Sequence, residues 1–335
     1  MRGKAPLLGA GLAALLVLSI VVAVTIGPAN IGFADVWASI GSHLGLGVNP
    51  LSLLRDGIVW ELRLPRVLTA AAVGAGLAVS GAVMQAITRN PLAEPYLLGL
   101  SAGASLGAVS VILLGLAVIL PLAAFLGAML ALALTLLLAS SLGVITPTRT
   151  VLAGLAVSSL ASAITSLVIF WTATGDSYRE ILGWLLGSLA GARWPAVAIS
   201  FGAILVAGIP IMLTGRVLDA FAFGDTSARA LGVNVSATRW GLLTASALLT
   251  GAMVSVSGSI GFVGLILPHA VRFIAGPAHR ALLPLSALFG AIFLVWADTA
   301  ARSLFDPREL PVGIVTAIIG APVFAVLLAR RRSET

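Results

Sequence analysis

Residues 96–141 contain no charged side chain. Wound into a single helix, these 46 residues would reach about 69 Å, against a hydrocarbon core of about 30 Å. The stretch therefore predicts two membrane crossings, with a turn near Leu116 to Pro121. Only 9% of the chain is charged and 59% is hydrophobic, and further spans fall near 6–27, 67–88, 150–172, 195–215, 281–301 and 311–329. No polar stretch is long enough to build a soluble domain. The fold class is all-α polytopic membrane protein, organised as one transmembrane domain over 1–335. The N-terminal apolar run, from about Ala5 to Ile26, exceeds a signal-peptide core and has no clear cleavage site after it, so it reads as a retained first span.

Residues 240–268 are also uncharged, but too long for one crossing and too short for two. Charge parity resolves them. Arg2 and Lys4 precede the first span and Arg330, Arg331 and Arg332 follow the last, so an even number of spans puts both clusters on the cytoplasmic side. The tenth span then shares residues 240–268 as a short, broken helix, which Gly258, Gly261, Gly264 and Pro268 permit. This topology leaves 12 of the 19 basic residues on the cytoplasmic side, the sign of the positive-inside rule. The net charge of +7 is accordingly read as orientation, with no nucleic-acid partner. Trp37, Trp60, Trp184, Trp194 and Trp240 fall near the expected interfaces.

GAGLAVSGAV from Gly74 and GAMVSVSGSI from Gly251 match at five of ten positions. The same offset of 177 carries Pro91 onto Pro268. The two segments run in opposite directions across the membrane, as inverted transporter repeats do, with halves roughly 58–175 and 238–330. Chance similarity between small-residue helices is the plain alternative.

Several chemistries are excluded. The absence of cysteine removes thiolate and iron–sulfur chemistry. A phosphate loop needs a lysine after its glycines, and Lys4 is the only lysine, so any ATPase must be another subunit. His43, His269 and His279 lack metal-ligand spacing, and no metal or cofactor is expected. Gly99-Leu100-Ser101-Ala102-Gly103 spells a nucleophile elbow, but in an apolar helix rather than a strand–turn–helix. Gly99, Gly103 and Gly107 instead form a small-residue stripe for close helix packing.

Three constellations remain. Arg63, Arg66 and Arg302 lie at external span ends, either snorkelling or forming a basic rim for an acidic partner. Asp298 lies one helical turn before Arg302 and is expected to neutralise it. It is also the only acid expected inside a span, where an ion-coupled transporter would need several. Arg89-Asn90-Pro91-Leu92-Ala93-Glu94-Pro95 is a two-proline cytoplasmic elbow, a plain connector or an inner gate. Gly224 to Val233, within the cytoplasmic loop 216–239, reads as a short helix closed by Gly232. It is a linker or a handle for a motor subunit.

These segments, with RLPRVL, VSGAVMQ, NPLAEPYLLGLSAGA, GFVGLILPHAVR, HRALLP, ADTAAR and ELPVGIVTAIIGAPVF, resemble the permease family of ABC importers for iron–siderophores, haem and cobalamin (FecCD type). The resemblance implies a ten-span subunit of a dimer, more often homodimeric, in the bacterial inner membrane. Both termini would be cytoplasmic, with lipid around the spans. Two cytoplasmic ATPases and one external substrate-binding protein complete such a machine. By position, Arg63, Arg66 and Arg302 would dock glutamates of the binding protein. Asn90 and Leu92 would contribute to one cytoplasmic gate, and Thr146 and Thr148 to another. Gly224, Asp225, Ser227, Ala228, Arg229, Leu231 and Gly232 would form the coupling helix. At the Thr146-Pro147-Thr148 turn, Pro147 departs from the family's usual small polar residue. The implied cargo is a ferric siderophore, with haem and cobalamin as alternatives.

Overall fold

A computed structural model describes residues 4–115, 119–141, 146–305 and 308–332. Residues Arg2 and Leu116, used in the topology above, lie outside them. Among the described residues all regular structure is helical: α1 (Lys4–Thr25), α2 (Phe33–His43), α3 (Leu53–Thr88), α4 (Leu100–Leu114), α5 (Leu120–Ser141), α6 (Pro147–Thr172), α7 (Gly175–Leu185), α8 (Trp194–Leu213), α9 (Gly215–Ala222), α10 (Asp225–Ala230), α11 (Val235–Ser257), α12 (Val263–Ala275), α13 (His279–Ser303) and α14 (Val312–Arg332). Seven of these, α1, α3, α5, α6, α8, α11 and α13, are long and apolar enough to cross a bilayer. Three shorter apolar helices lie in α4, α12 and α14.

The uncharged stretch 96–141 divides into α4 and α5, and 240–268 divides into α11 and the start of α12. At the second division the chain leaves helix at Gly258 (φ 67°) and re-enters it after Phe262 (φ 69°). Such irregular backbone is tolerated inside a bundle when side chains satisfy it. Helix α3 begins at Leu53, well before the hydropathy boundary near 67. Its first turns carry Arg55, Asp56 and Glu61, which end the apolar run without ending the helix, and residues Ile58–Arg63 are wound as a π-helix.

Helix α3 is the axis of the bundle: 89% of its most apolar window is buried, against 17% for α1 and 22% for α8. Small residues allow this. An ideal Cβ on Gly74 would lie 2.1 Å from the carbonyl oxygen of Gly290 in α13, and one on Gly81 would lie 1.9 Å from that of Gly264 in α12. Backbone-to-backbone approach through glycine replaces hydrophobic attraction, which lipid does not supply between helices. Helices α5, α6 and α8 expose Leu130, Leu137, Phe170, Trp171, Leu205 and Val206, apolar faces suited to lipid or another subunit.

Helices α3 and α11 are antiparallel, with Gly76 against Met253 and Ser80 against Ser246. Each of those two serine hydroxyls donates to the other residue's carbonyl at 3.3 Å. This reciprocal crossing relates residues 166 apart in sequence, not the 177 of the motif match. In the motif's register α3 continues to Thr88, whereas α11 stops at Ser257.

Candidate functional site

At one end of the bundle the three arginines converge, and all are turned inward: Arg63 and Arg302 are each 4% exposed and Arg66 8%. Arg66 donates Nε and Nη2 to Asp298 at 2.9–3.1 Å and Nη1 to Glu309 at 2.7 Å. Arg63 donates to the carbonyls of Thr25 and Ala29 at the C-terminus of α1. Arg302 donates to the Ala23 carbonyl at 2.6 Å, and its buried Nε has no partner among the described residues. Asp298 stands close enough to Arg302 to offset its charge, as expected, but its hydrogen-bonded ion pair is with Arg66 on α3. With exposed Arg193 and Glu309, the three arginines line a cavity of about 340 Å³. Its excess positive charge suits an entering carboxylate.

Helix α3 ends in a left-handed C-cap at Arg89 (φ 51°). Asn90 Oδ1 then accepts the Leu92 amide at 3.0 Å, which makes the proline elbow an Asx turn. Asn90 and Leu92 are exposed. Beyond them the elbow folds into the bundle and fastens to the break between α11 and α12. Glu94 Oε1 accepts the Phe262 amide at 3.2 Å. The Tyr96 hydroxyl donates to the Ile260 carbonyl at 2.9 Å and accepts its amide at 3.2 Å, and the hydroxyls of Ser101 and Ser259 meet at 2.7 Å.

Pro268, inside α12, has no N–H for the carbonyl four residues earlier. That carbonyl, of Gly264, accepts from Gln85 Nε2 at 3.3 Å, and the Leu265 carbonyl accepts from the same amide at 3.0 Å. Arg272 Nη1 in turn donates to Gln85 Oε1 at 2.6 Å.

Asp298 is not the only enclosed acid. Glu94, in the elbow, is half-buried, and desolvation pushes its carboxyl up to about 7 from 4.5. In the sequence it is one residue of a two-proline elbow; the packing against residues 260–262 encloses it. Between about pH 4.5 and 7 the folded state keeps a proton that the unfolded state has lost, so stability falls as pH rises through that window and levels off above it. Glu94→Gln keeps an acceptor for the Phe262 amide and removes the charge. It is expected to flatten the thermal-stability profile between pH 5 and 7.5 and to raise stability at pH 8 by about 1–2 kcal/mol, below the full value of such a shift because the carboxyl keeps some solvent contact. A profile identical to that of the unmodified protein would refute the assignment.

Of the small-residue stripe, Gly103 and Gly107 pack against Gly127 and Ala123 of α5. Gly99 lies just before α4 in a left-handed turn (φ 85°) and meets the same helix, a Cβ there falling 3.5–3.6 Å from Thr135 and Ala131 of α5. Beside it a cavity of about 390 Å³ is lined by Tyr96, Ser101, Ser105, Ser158, Ser162, Thr165 and Ser166 on α4 and α6, with no charged side chain.

At the opposite end, Thr146 caps α6 by accepting the Arg149 amide at 3.3 Å, and Thr148 is exposed. Arg89, Thr146, Pro147, Asp225, Arg229 and Arg239 line one cavity of about 440 Å³, so elbow, α6 terminus and loop 216–239 meet there. Gly224 (φ 92°) starts α10 at Asp225, and Gly232 (φ 82°) closes it, with the Val233 amide returning to the Ala228 carbonyl at 3.0 Å. Ser227, Arg229 and Leu231 are exposed and Ala228 is buried. Arg239 is a site residue that sequence reasoning missed, because its partner Asp225 lies in the preceding helix.

The chain matches the model of the FecCD transport family over residues 15–330. It is 43% identical to the vitamin B12 import system permease protein of Vibrio cholerae, covering 84% of this chain and 86% of the relative. It is 40% identical to the Fe(3+)-citrate import system permease protein YfmD of Bacillus subtilis, covering 88% and 92%. A solved structure, described as an inward-facing conformation of a metal-chelate type ABC transporter, superposes with a TM-score of 0.82 at 34% identity, covering 97% of this chain and 99% of that one.

Proposed function

The chain belongs to the FecCD transport family, and from that premise we propose that it is the membrane-spanning permease of an ATP-driven importer whose cargo is a ferric siderophore or related iron complex. The observation that carries the reading is the near-complete family match, in a chain of apolar helices whose sequence has no lysine for a phosphate loop. ATP is hydrolysed by two partner subunits on the cytoplasmic side, which seat α10 in their docking grooves. A second permease subunit, in the simplest case an identical copy, completes the pathway. The uncharged hydroxyl-lined cavity on α4 and α6 supports passage of a large polar chelate held by weak contacts. The opposite directions of α3 and α11, which carry the two motif copies, support two inverted halves, about 58–175 and 238–330. Asn90, Leu92, Thr146 and Thr148, brought to one end of the bundle, form the inner gate. ATP-driven closure of the motor pair shifts the inward–outward equilibrium.

Cobalamin is the second reading, favoured by the 43% identical relative named for vitamin B12 import. Haem is a third member of the same cargo class. Uptake of labelled ferric siderophore, haem and cobalamin by cells lacking the gene, with and without ATP depletion, decides among them. Loss of one ATP-dependent uptake, restored by the gene, names the cargo. Uptake insensitive to ATP depletion would reject the importer in favour of an ion-coupled carrier.

The arginine cavity docks an acidic side chain of an external binding protein. Reversing all three buried arginines would disrupt their internal contacts, so a single neutral change is the cleaner test. Arg63→Gln is expected to weaken capture of the binding protein about tenfold at low salt, with the difference shrinking as ionic strength rises. Unchanged capture at low salt would remove Arg63 from the docking site.

A further inference from the structure

Helices α9, α10 and the first turn of α11 share a small apolar cluster built on Ala220, Phe221, Ala228 and Val235, while Leu218 on α9 is buried in the main core. Two contacts tie α9 to α13: Asp219 Oδ1 accepts the His279 backbone amide and meets its Nδ1, both at 2.8 Å, and Gly215 packs against the Arg280 backbone. Within the unit, Arg239 on α11 clamps α10. A single nitrogen, Nη2, reaches both Asp225 oxygens at 2.9 and 3.0 Å. The guanidinium stands over the Phe221 ring, 5.6 Å from its centroid, and Arg239 is only 8% exposed. Asp225 is the first residue of α10, so the clamp grips that helix at its start. The remaining contact between α10 and α11 is apolar and small.

Helix α11 runs without a break for 23 residues, about 35 Å, past the Ser80–Ser246 crossing to the irregular turn 258–262. The Ser257 carbonyl at its far end accepts the Ser188 amide at 2.8 Å. Any displacement of α10 that α11 shares is therefore delivered to the break on which Glu94, Tyr96 and Ser101 are fastened.

We infer that Arg239 is a positioning residue that couples motor docking at α10 to the transport helices through its clamp on Asp225. The inference rests on the reading of α10 as the helix that seats in the ATPase. Loss of the clamp leaves α10 free to move with the motor while α11 stays behind.

The chain has no cysteine, so Gly261→Cys, at a position with open space beside its Cβ, gives a single reporter at the break. In the complete importer, reconstituted in vesicles, labelling of this cysteine by a membrane-impermeant maleimide is compared without nucleotide and with ATP plus vanadate. With Arg239 present, the labelling rate is expected to change about tenfold between the two states, and with Arg239→Gln less than twofold, a difference commensurate with losing one charge-assisted pair. ATPase co-purification persists in Arg239→Gln. Arg239→Lys restores the response, because one ammonium can make both contacts that Nη2 makes. A full response in Arg239→Gln, or no rescue by lysine, overturns the inference and leaves the docking role of α10 standing. Should Arg239→Gln fail to accumulate, Asp225→Ala removes both acceptors of the same clamp from its more exposed side and must abolish the response; a full response there also overturns it. Leu231→Asp alters an exposed apolar residue beside α10 and is expected to abolish ATPase co-purification. Retained co-purification would reject α10 as the docking helix, and the role of Arg239 with it.

Discussion

Asp298→Asn is expected to lower the unfolding free energy of the permease by about 3 kcal/mol, the scale of breaking a buried ion pair by removing one charge. Asp298 is 1% exposed and accepts Nε and Nη2 of Arg66. Without its charge, Arg66 keeps only Glu309, at the more open rim of the cavity. Arg302 and Arg63, both buried, stand close by and, among the described residues, hydrogen-bond only to carbonyls and a hydroxyl. Denaturant titration in detergent reads the loss. Replacing the pair together, Arg66→Met with Asp298→Leu, is expected to recover most of the stability, because a buried pair exchanged for apolar groups of similar volume is often neutral. The double change should still weaken docking of the binding protein. A single Asp298→Asn variant within about 0.5 kcal/mol of the unmodified protein would show that the pair carries no structural role.

Gly81→Ala is expected to reduce accumulation of folded protein and to cost about 3 kcal/mol, the upper range for overpacking a close contact. Its new methyl group would fall 1.9 Å from the Gly264 carbonyl oxygen, a backbone atom with no side chain to swing aside. Separation of α3 and α12 also draws Gln85 away from the carbonyls of Gly264 and Leu265 and from Arg272. The carbonyl freed by Pro268 then has no donor, and a buried orphan of that kind costs about 1–3 kcal/mol. Gly241→Ala provides the contrast: it lies inside α11 with nothing within 4 Å of a new Cβ. It is expected to be neutral or stabilising by about 0.5–1 kcal/mol. Equal behaviour of the two variants in thermal melting and transport would reject the close approach of α3 to α12.

Local features were legible because their causes are local. An uncharged run of given length must cross a bilayer a given number of times, and glycine or proline marks where helix cannot continue. Residues 96–141 and 240–268 therefore announced their divisions, Gly232 announced the end of α10, and motif order announced the family. Cross-chain features had no such local cause. Helical spacing offered Arg302 to Asp298, but the bundle brings up Arg66, 232 residues away, with the geometry to hold both carboxylate oxygens. The proline elbow gave no sign that Glu94 is enclosed, since its burial is produced by the 258–262 turn. Composition ended the second span near residue 67, while the structure carries α3 back to Leu53, with Arg55 and Glu61 exposed and Asp56 held by Ser39 and His43. The sequence alone determined that the chain lives in a membrane, where its helices break and which family it joins, because these follow from transfer energies and backbone limits along the chain. Which buried charge meets which, and how Arg239 grips Asp225, only the tertiary structure decided, because those pairings depend on helix approach that glycine contacts set.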